Sequence, residues 1–371
     1  MNDTGHNPTG GHQARAIEPV PAIRSVRKLN AGTVAVILVA LILLLPTNFV
    51  VRSPGPVVNT MGEVDGQRVL TVDRATTYPS QSTLDMTTVY VSGGGQHKLS
   101  GVWVLEALLN PGKDVVPEEI MLPRGVSSDQ QAQENSLMMS SSQELSTAAA
   151  LHELGHDYDT SLQVVGFAAD YNKTSLQEND VLVDFEGSSF ADLKELKELL
   201  NKSESDEATM TVRRVNEAGK MRDVQVPVHT VLGEDGQRQL GVYLRTGYQF
   251  PIDVKFGVED IGGPSAGMMF ALAIIDQLTE GSLAGDTVVA GTGEISEDGQ
   301  VGPIGGIAQK MIGAREAGAT VFLAPEDNCP DVAGRVPKGL DVVKVATLHE
   351  ARSALQAIAQ GIDPATLTSC N

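Results

Sequence analysis

Aromatic residues are scarce in this sequence: Phe, Trp and Tyr make up 4% of 371 residues, whereas glycine alone occurs 38 times. A chain with few large rings and many small residues suits a compact α/β protein with close helix contacts rather than a disordered one. Basic residues are also short, with 27 Lys and Arg against 47 Asp and Glu and a formal net charge of −20. That balance repels nucleic acid and leaves no basic surface for phosphate. There are two cysteines, Cys329 and Cys370, and no C-x-x-C, which excludes a zinc ribbon or a thioredoxin-type motif. No G-x-x-x-x-G-K-[ST] occurs either, so the chain carries no nucleotide-driven motor of that kind. No cofactor is expected.

Long apolar runs are absent with one exception. "AGTVAVILVALILLLPTNFVV", Ala31 to Val51, is 21 residues without a charge. At ~1.5 Å per residue it is long enough to cross a ~30 Å hydrocarbon layer as one helix. No A-x-A site follows, which argues against a cleaved signal peptide. Arg15, Arg24, Arg27 and Lys28 precede the run, and only Arg52 follows it closely. The positive-inside rule then places the N-terminus in the cytoplasm and everything after about Arg52 outside a cell membrane. Both cysteines would lie where a disulfide persists, and a Cys329–Cys370 bond is expected, closing a loop of about 40 residues.

The chain has room for two or three domains. Residues 1–29 are rich in Gly, Pro, Asn and His and read as a cytoplasmic tail; 30–51 read as the transmembrane helix. Between 52 and 157, "QRVLTVD" and "STLDMTTVYVS" alternate as strands, "GVWVLEALLNPG" is a short apolar helix or strand, and a long helical stretch stops near Gly155. Residues 158–230 run strand, short polar helix, strand, helix "ADLKELKELLNK" and strand "ATMTVRRV". With its Asn179-Asp180 turn this unit resembles the second half of a bacterial PDZ domain, a family that binds peptide C-termini by strand addition. Residues 231–360 alternate strands and helices as an α/β domain, and 361–371 form a tail.

Two places carry chemistry. "HELGH", His152 to His156, fits H-E-x-x-H, which on a helix sets two imidazoles and a glutamate on one face as in zinc peptidases. A third ligand is missing: the metzincin positions hold Asp159 and Leu162, and Glu178 lies in a turn. The alternative is a helix terminus, stopped by Gly155, where imidazolium favours the dipole. No metal site is expected.

The other place is "EDIGGPSAGMMFALAIIDQL", in which Ser265 follows Gly262-Gly263-Pro264 and opens an apolar helix. Such a helix start leaves N–H groups free for a developing oxyanion, and Gly263, Pro264 and Ala266 would frame it; a plain N-cap is the bland alternative. In "GGIAQKMIGAREAG", Lys310 shares a helical stripe with Ile307, Ala314 and Ala317, with Gln309 elsewhere. A lysine among apolar residues either snorkels to water or is desolvated, its pKa falling toward neutrality until it can take a serine proton.

"GGPSAG" followed 45 residues later by the lysine of "GGIAQK", together with "TGEISEDGQVGPIGGIAQKMIGAREAGATVFLAPEDN", resembles the Lon proteolytic domain. The resemblance implies a Ser-Lys dyad, with Ser265 as nucleophile, Lys310 as general base and Thr292 of "TGE" positioning the amine. Where Lon enzymes often place an aspartate three residues before the serine, this chain has Gly262, and Asp260 is the nearest acid. "LDMTTV" and "NSLMMSSSQELSTAAAL" resemble the first strands and helix of the same domain, so the PDZ-like unit would be inserted into it. The whole resembles the membrane-anchored, PDZ-containing Lon-like proteases of bacteria, which lack the AAA+ ATPase part. It implies an ATP-independent serine endopeptidase acting on unfolded or membrane-linked polypeptides outside the cytoplasm, assembled as a homo-oligomeric ring and without nucleic acid. The rival readings are a peptide-binding PDZ sensor with an inactive protease fold, and a zinc metalloprotease resting on HELGH.

Overall fold

The computed structural model describes residues 30–121, 128–203, 205–215, 219–233, 236–258 and 261–370. The expected cytoplasmic tail, and Asp260 with it, lie outside the described residues. The described residues fall into two units, divided between Leu45 and Pro46. In the first, helix α1 (Ala31–Leu44) is 14 residues long and is capped by Asn30, whose side chain accepts from the Thr33 N–H. The single helix expected over 30–51 is therefore not formed. Leu45 is extended ahead of Pro46, which has no N–H to continue the ladder, and the β-branched Val50 and Val51 enter a buried strand instead. At ~1.5 Å per residue α1 spans roughly 21 Å. Among the described residues no helix is long and apolar enough to cross a membrane.

The second unit begins with β1 (Phe49–Asn59), β2 (Leu70–Asp73), β3 (Thr83–Ser92), α2 (Gly101–Leu109), β4 (Asp114–Pro117) and the long helix α3 (Ser128–Glu153). Its middle holds β5 (Asp159–Phe167), β6 (Val181–Phe185), α4 (Leu193–Lys202), β7 (Glu207–Val215), β8 (Met221–His229) and β9 (Val242–Gln249). Last come β10 (Asp253–Phe256), α5 (Gly267–Leu278), β11 (Val288–Gly291), α6 (Ile307–Glu316), β12 (Val321–Pro325), β13 (Asp341–Val345) and α7 (Leu348–Ala359).

The large sheet runs β13-β12-β11-β3-β1-β4. Its first four strands are mutually parallel, and β1 pairs antiparallel with both β3 and β4. Strands from both ends of the unit thus build one layer, as they must if the smaller sheet is an insertion. The helix α5, apolar around most of its circumference, is buried from Gly267 to Gln277, as such a helix must be in a soluble core. It packs against α3 and α7, and Leu84, Met86, Leu151, Phe270, Leu323 and Leu355 share its cluster. The disulfide Cys329–Cys370 closes a separation of 41 residues and ties the C-terminal tail to the short helix Cys329–Val332.

The small sheet runs β8-β7-β6-β5-β9 with α4 against it. Its own core holds Leu162, Val164, Leu182, Phe185 and Met210, with Leu196 and Leu200 from the inward face of α4. Asn179 turns with φ 73°, a left-handed conformation that asparagine tolerates, so the turn forms without glycine. Behind it the buried Asp180 meets Arg214 at 2.5 Å. One boundary differs from the sequence reading. Strand β9, placed in the catalytic half by a division at 230, pairs along its whole length with β5, from Val242 opposite Phe167 to Gln249 opposite Asp159. Pairing between strands so far apart leaves no local pattern. The strand lies at the edge of the sheet, and among the described residues no strand pairs with its second side.

Candidate active site

Ser265 occupies the turn that leads into α5, and three groups fix that turn. Gly263 has φ 89°, a conformation glycine adopts freely. Its N–H donates to the Asn135 carbonyl at 2.9 Å. Ser142 of α3 donates to the Pro264 carbonyl at 3.0 Å, and Ser146 to that of Gly267 at 2.9 Å. These bonds correct the expected oxyanion frame. The Gly263 amide is already engaged and Pro264 has no N–H, so neither is a donor. Among the described residues the amides of Ser265 and Ala266 have no internal acceptor, as expected of a helix start.

From the other side, the Ser265 carbonyl accepts from the Thr292 hydroxyl at 2.9 Å and from the Gly293 N–H at 2.9 Å. Thr292 follows directly on β11 and is fully buried. Lys310, on the first turn of α6, brings its amine to 2.7 Å from Ser265 Oγ and 2.8 Å from Thr292 Oγ1. Its side chain does not snorkel: it is 2% exposed. The stripe that surrounds it differs in detail from the helical wheel. Ile307 and Ala314 are buried with it, but Ala317 lies past the helix end and is exposed, while Gln309 is buried.

Burial drives the Lys310 pKa down from 10.5 to about 7, since a desolvated ammonium loses hydration that its neighbours do not replace. Glu294 opposes this by favouring the charged amine, and its own carboxyl is raised by burial and pulled back by Lys310. Glu294 begins a short hairpin, Glu294–Ile295 with Val301–Gly302, just beyond Thr292. The sequence contained it as the last residue of "TGE" but gave it no role.

A cavity of about 320 Å³ opens over the pair, lined by Ser265, Lys310, Glu294, Met139 and the β3 residues Thr87 to Tyr90. The last of these were not recognisable from sequence. β11 pairs with β3 only from Thr83 to Met86, so beyond Met86 this side of β3 loses its partner and faces the cavity.

The HELGH segment lies elsewhere. His152 and Glu153 end α3, Gly155 has φ 70°, and the His156 N–H donates back to the Leu151 carbonyl at 2.9 Å, a helix stop. Both imidazoles are exposed. Glu153 is 3.0 Å from His349 Nδ1 and accepts from Arg352 at 3.1 Å, bracing α3 against α7. Among the described residues no group of three or more His, Cys, Asp or Glu could hold a metal ion.

Residues 246–358 match the family model of the Lon protease (S16) C-terminal proteolytic domain. "Lon protease 1" of Bacillus subtilis is 38% identical over 106 residues, 28% of this chain and 13% of that protein. "Lon protease 2" of Thermus thermophilus is 43% identical over 89 residues, covering 24% and 11%, and "Lon protease" of Mycolicibacterium smegmatis is 34% identical over 114 residues, covering 31% and 14%. The chain thus spans 11% to 14% of the length of these curated relatives. Among solved structures, the PDZ domain of the SdrC-like protein from Listeria monocytogenes aligns with 24% of this chain and 90% of its own, at 15% identity and a TM-score of 0.21. The likeness to the Lon proteases is thus one of a proteolytic domain, over residues 246–358 of this chain.

Proposed function

We propose that this chain is an ATP-independent serine endopeptidase of the Lon type, working through a Ser265–Lys310 dyad. The observation that carries the reading is the amine of Lys310, buried and poised near neutrality, 2.7 Å from the hydroxyl of Ser265 at the floor of an open cavity. In its neutral form Lys310 takes the proton as Ser265 Oγ attacks a scissile carbonyl, and it later returns that proton to the leaving amine. Thr292 holds the lysine amine in line. The free amides of Ser265 and Ala266 are the candidate oxyanion donors. The unpaired side of β3 past Met86 offers backbone groups to an extended substrate lying across the cavity, which favours unfolded segments.

We further propose attachment to a membrane through the apolar segment that starts at Ala31, with the second unit outside the cytoplasm, a side consistent with the Cys329–Cys370 bond. The small sheet would present polypeptide: among the described residues its edge strand β9 has one unpaired side for strand addition, and it follows Gly241, φ 65°. A ring of copies is the assembly that the Lon resemblance implies.

The test is cleavage of an unfolded protein without nucleotide. Ser265→Ala, Lys310→Ala and Lys310→Arg should each lower kcat by on the order of 10⁴-fold, and the double alanine variant should cost little more, because the pair acts as one unit. An active Ser265→Ala enzyme would overturn the proposal.

A further inference from the structure

We propose that helix α2 docks on the surface of a lipid bilayer through its outward face. The inference rests on the membrane attachment proposed above and adds a second contact to it. The helix, "GVWVLEALL", carries one charge in nine residues. Val104 and Ala107, three apart, are buried against the body of the unit. Apart from the exposed Glu106, the rest of the circumference is mostly apolar and uncovered: Val102 and Leu105 are exposed, as are Trp103 at 61%, Leu108 at 67% and Leu109 at 78%. Single exposed apolar side chains are ordinary, but five on one nine-residue helix are not. A helix apolar on nearly all sides belongs inside a protein or against lipid.

The position of α2 selects lipid. The first unit ends at Leu45, inside the apolar run, and the second begins at the next residue, Pro46. Pro46 forms a β-bridge with Ser100, the residue that precedes α2. Thr47 donates to the Leu99 carbonyl twice, from its N–H at 2.8 Å and its hydroxyl at 2.9 Å. The point where the apolar run joins the second unit is therefore bonded to the start of α2, and a bilayer that receives the run is within reach of the helix. Phe49, three residues on, is exposed as well. The chemistry is that of an interfacial helix, with a tryptophan and leucines turned outward and the single acid, Glu106, paired with Lys113 at 2.7 Å. With a net charge of −20 the chain gains nothing from anionic headgroups, so the contact is apolar and suits a zwitterionic surface.

Trp103 is the only tryptophan, so its fluorescence reports this face alone. The full chain is reconstituted with phosphatidylcholine vesicles whose acyl chains are brominated near the headgroup, and flotation is scored beside emission. The expected result is flotation with a blue-shifted Trp103 emission that the bromines quench. Leu108→Asp combined with Leu109→Asp should float equally and lose the quenching. Flotation of the unaltered chain with unquenched Trp103 would overturn the docking of α2 and leave the membrane attachment standing. A blue-shifted but unquenched emission, pointing to a protein neighbour on this face, would overturn it too. Failure to float would remove both proposals.

Discussion

Tyr248 donates its phenolic hydrogen to Glu297 across 2.7 Å, joining the end of β9 in the small sheet to the hairpin that starts beside Thr292 and Glu294. Its ring stacks on Phe250 with centroids 5.4 Å apart, and Tyr158 meets both edge-on. Burial and the Glu297 carboxylate both raise the Tyr248 pKa, so the phenol remains a donor across the working pH range. Tyr248→Phe keeps the stack and removes the bond. Unfolding in urea should show a loss of about 1–2 kcal/mol. If the hairpin positions the catalytic groups, kcat should fall with KM little changed; an unaltered kcat would confine Tyr248 to stability.

The pH dependence of cleavage follows from Lys310. Its amine must be neutral to accept a proton, so activity should rise with pH through the folded pKa of about 7 and level off above it. Glu294 raises that pKa by favouring the charged amine. Glu294→Gln should therefore move the rising limb of the kcat/KM profile to lower pH. A limb that stays in place would mean that Glu294 is screened from the amine, and a shift to higher pH would contradict the assignment.

Much of this site could be read along the sequence because its pieces are local. Ser265 sits at a glycine-proline helix start, and Lys310 sits one turn into a helix after two glycines. The features that stayed hidden depend on distant chain segments. Asn135 takes the Gly263 amide, Ser142 and Ser146 clamp the turn from α3, and β3 supplies the cavity wall. β9 shows the same limit in the fold, since its partner β5 lies some eighty residues earlier, as the Leu162–Thr246 pair illustrates. The apolar run misled in the opposite direction. Hydropathy continued to Val51, but Pro46 ended the helix and the paired strand β1 claimed the rest.

Glu153 separates the two readings of HELGH. As a general base of a zinc site, its replacement would abolish turnover and leave the fold intact. As the brace between α3 and α7 it does the reverse. Among the described residues Arg352 Nε is already buried without a hydrogen-bond partner, and losing the carboxylate would leave its charge worse compensated. Glu153→Gln should lower stability by about 1–2 kcal/mol with kcat preserved. His152→Ala and His156→Ala should retain turnover, and a chelator should change nothing. Inactivation by chelator, with the Ser265→Ala enzyme still active, would restore the metal reading.

Lys310 should also be a site where function costs stability. Its pKa is about 7 in the folded chain against 10.5 when solvated. Between those values the unfolded chain binds more protons than the folded one, so the stability of the unaltered protein should rise as pH increases through this window. At pH 7 the folded state still carries most of the penalty of keeping the amine from water. Methionine has a similar length and no charge to desolvate, though it gives up the contacts to Ser265 and Thr292. Lys310→Met should therefore be inactive and yet more stable than the unaltered chain at pH 7, by on the order of 2 kcal/mol. The gain should vanish near pH 10, where the amine is neutral in the folded chain, the unfolded amine has begun to lose its own proton, and most of the penalty is gone while the two hydrogen bonds remain. Urea midpoints for the two proteins at these pH values measure the difference. A Lys310→Met chain that is the less stable at both would mean that the amine is held charged and paired, and the base catalysis assigned to it would fail on the same result.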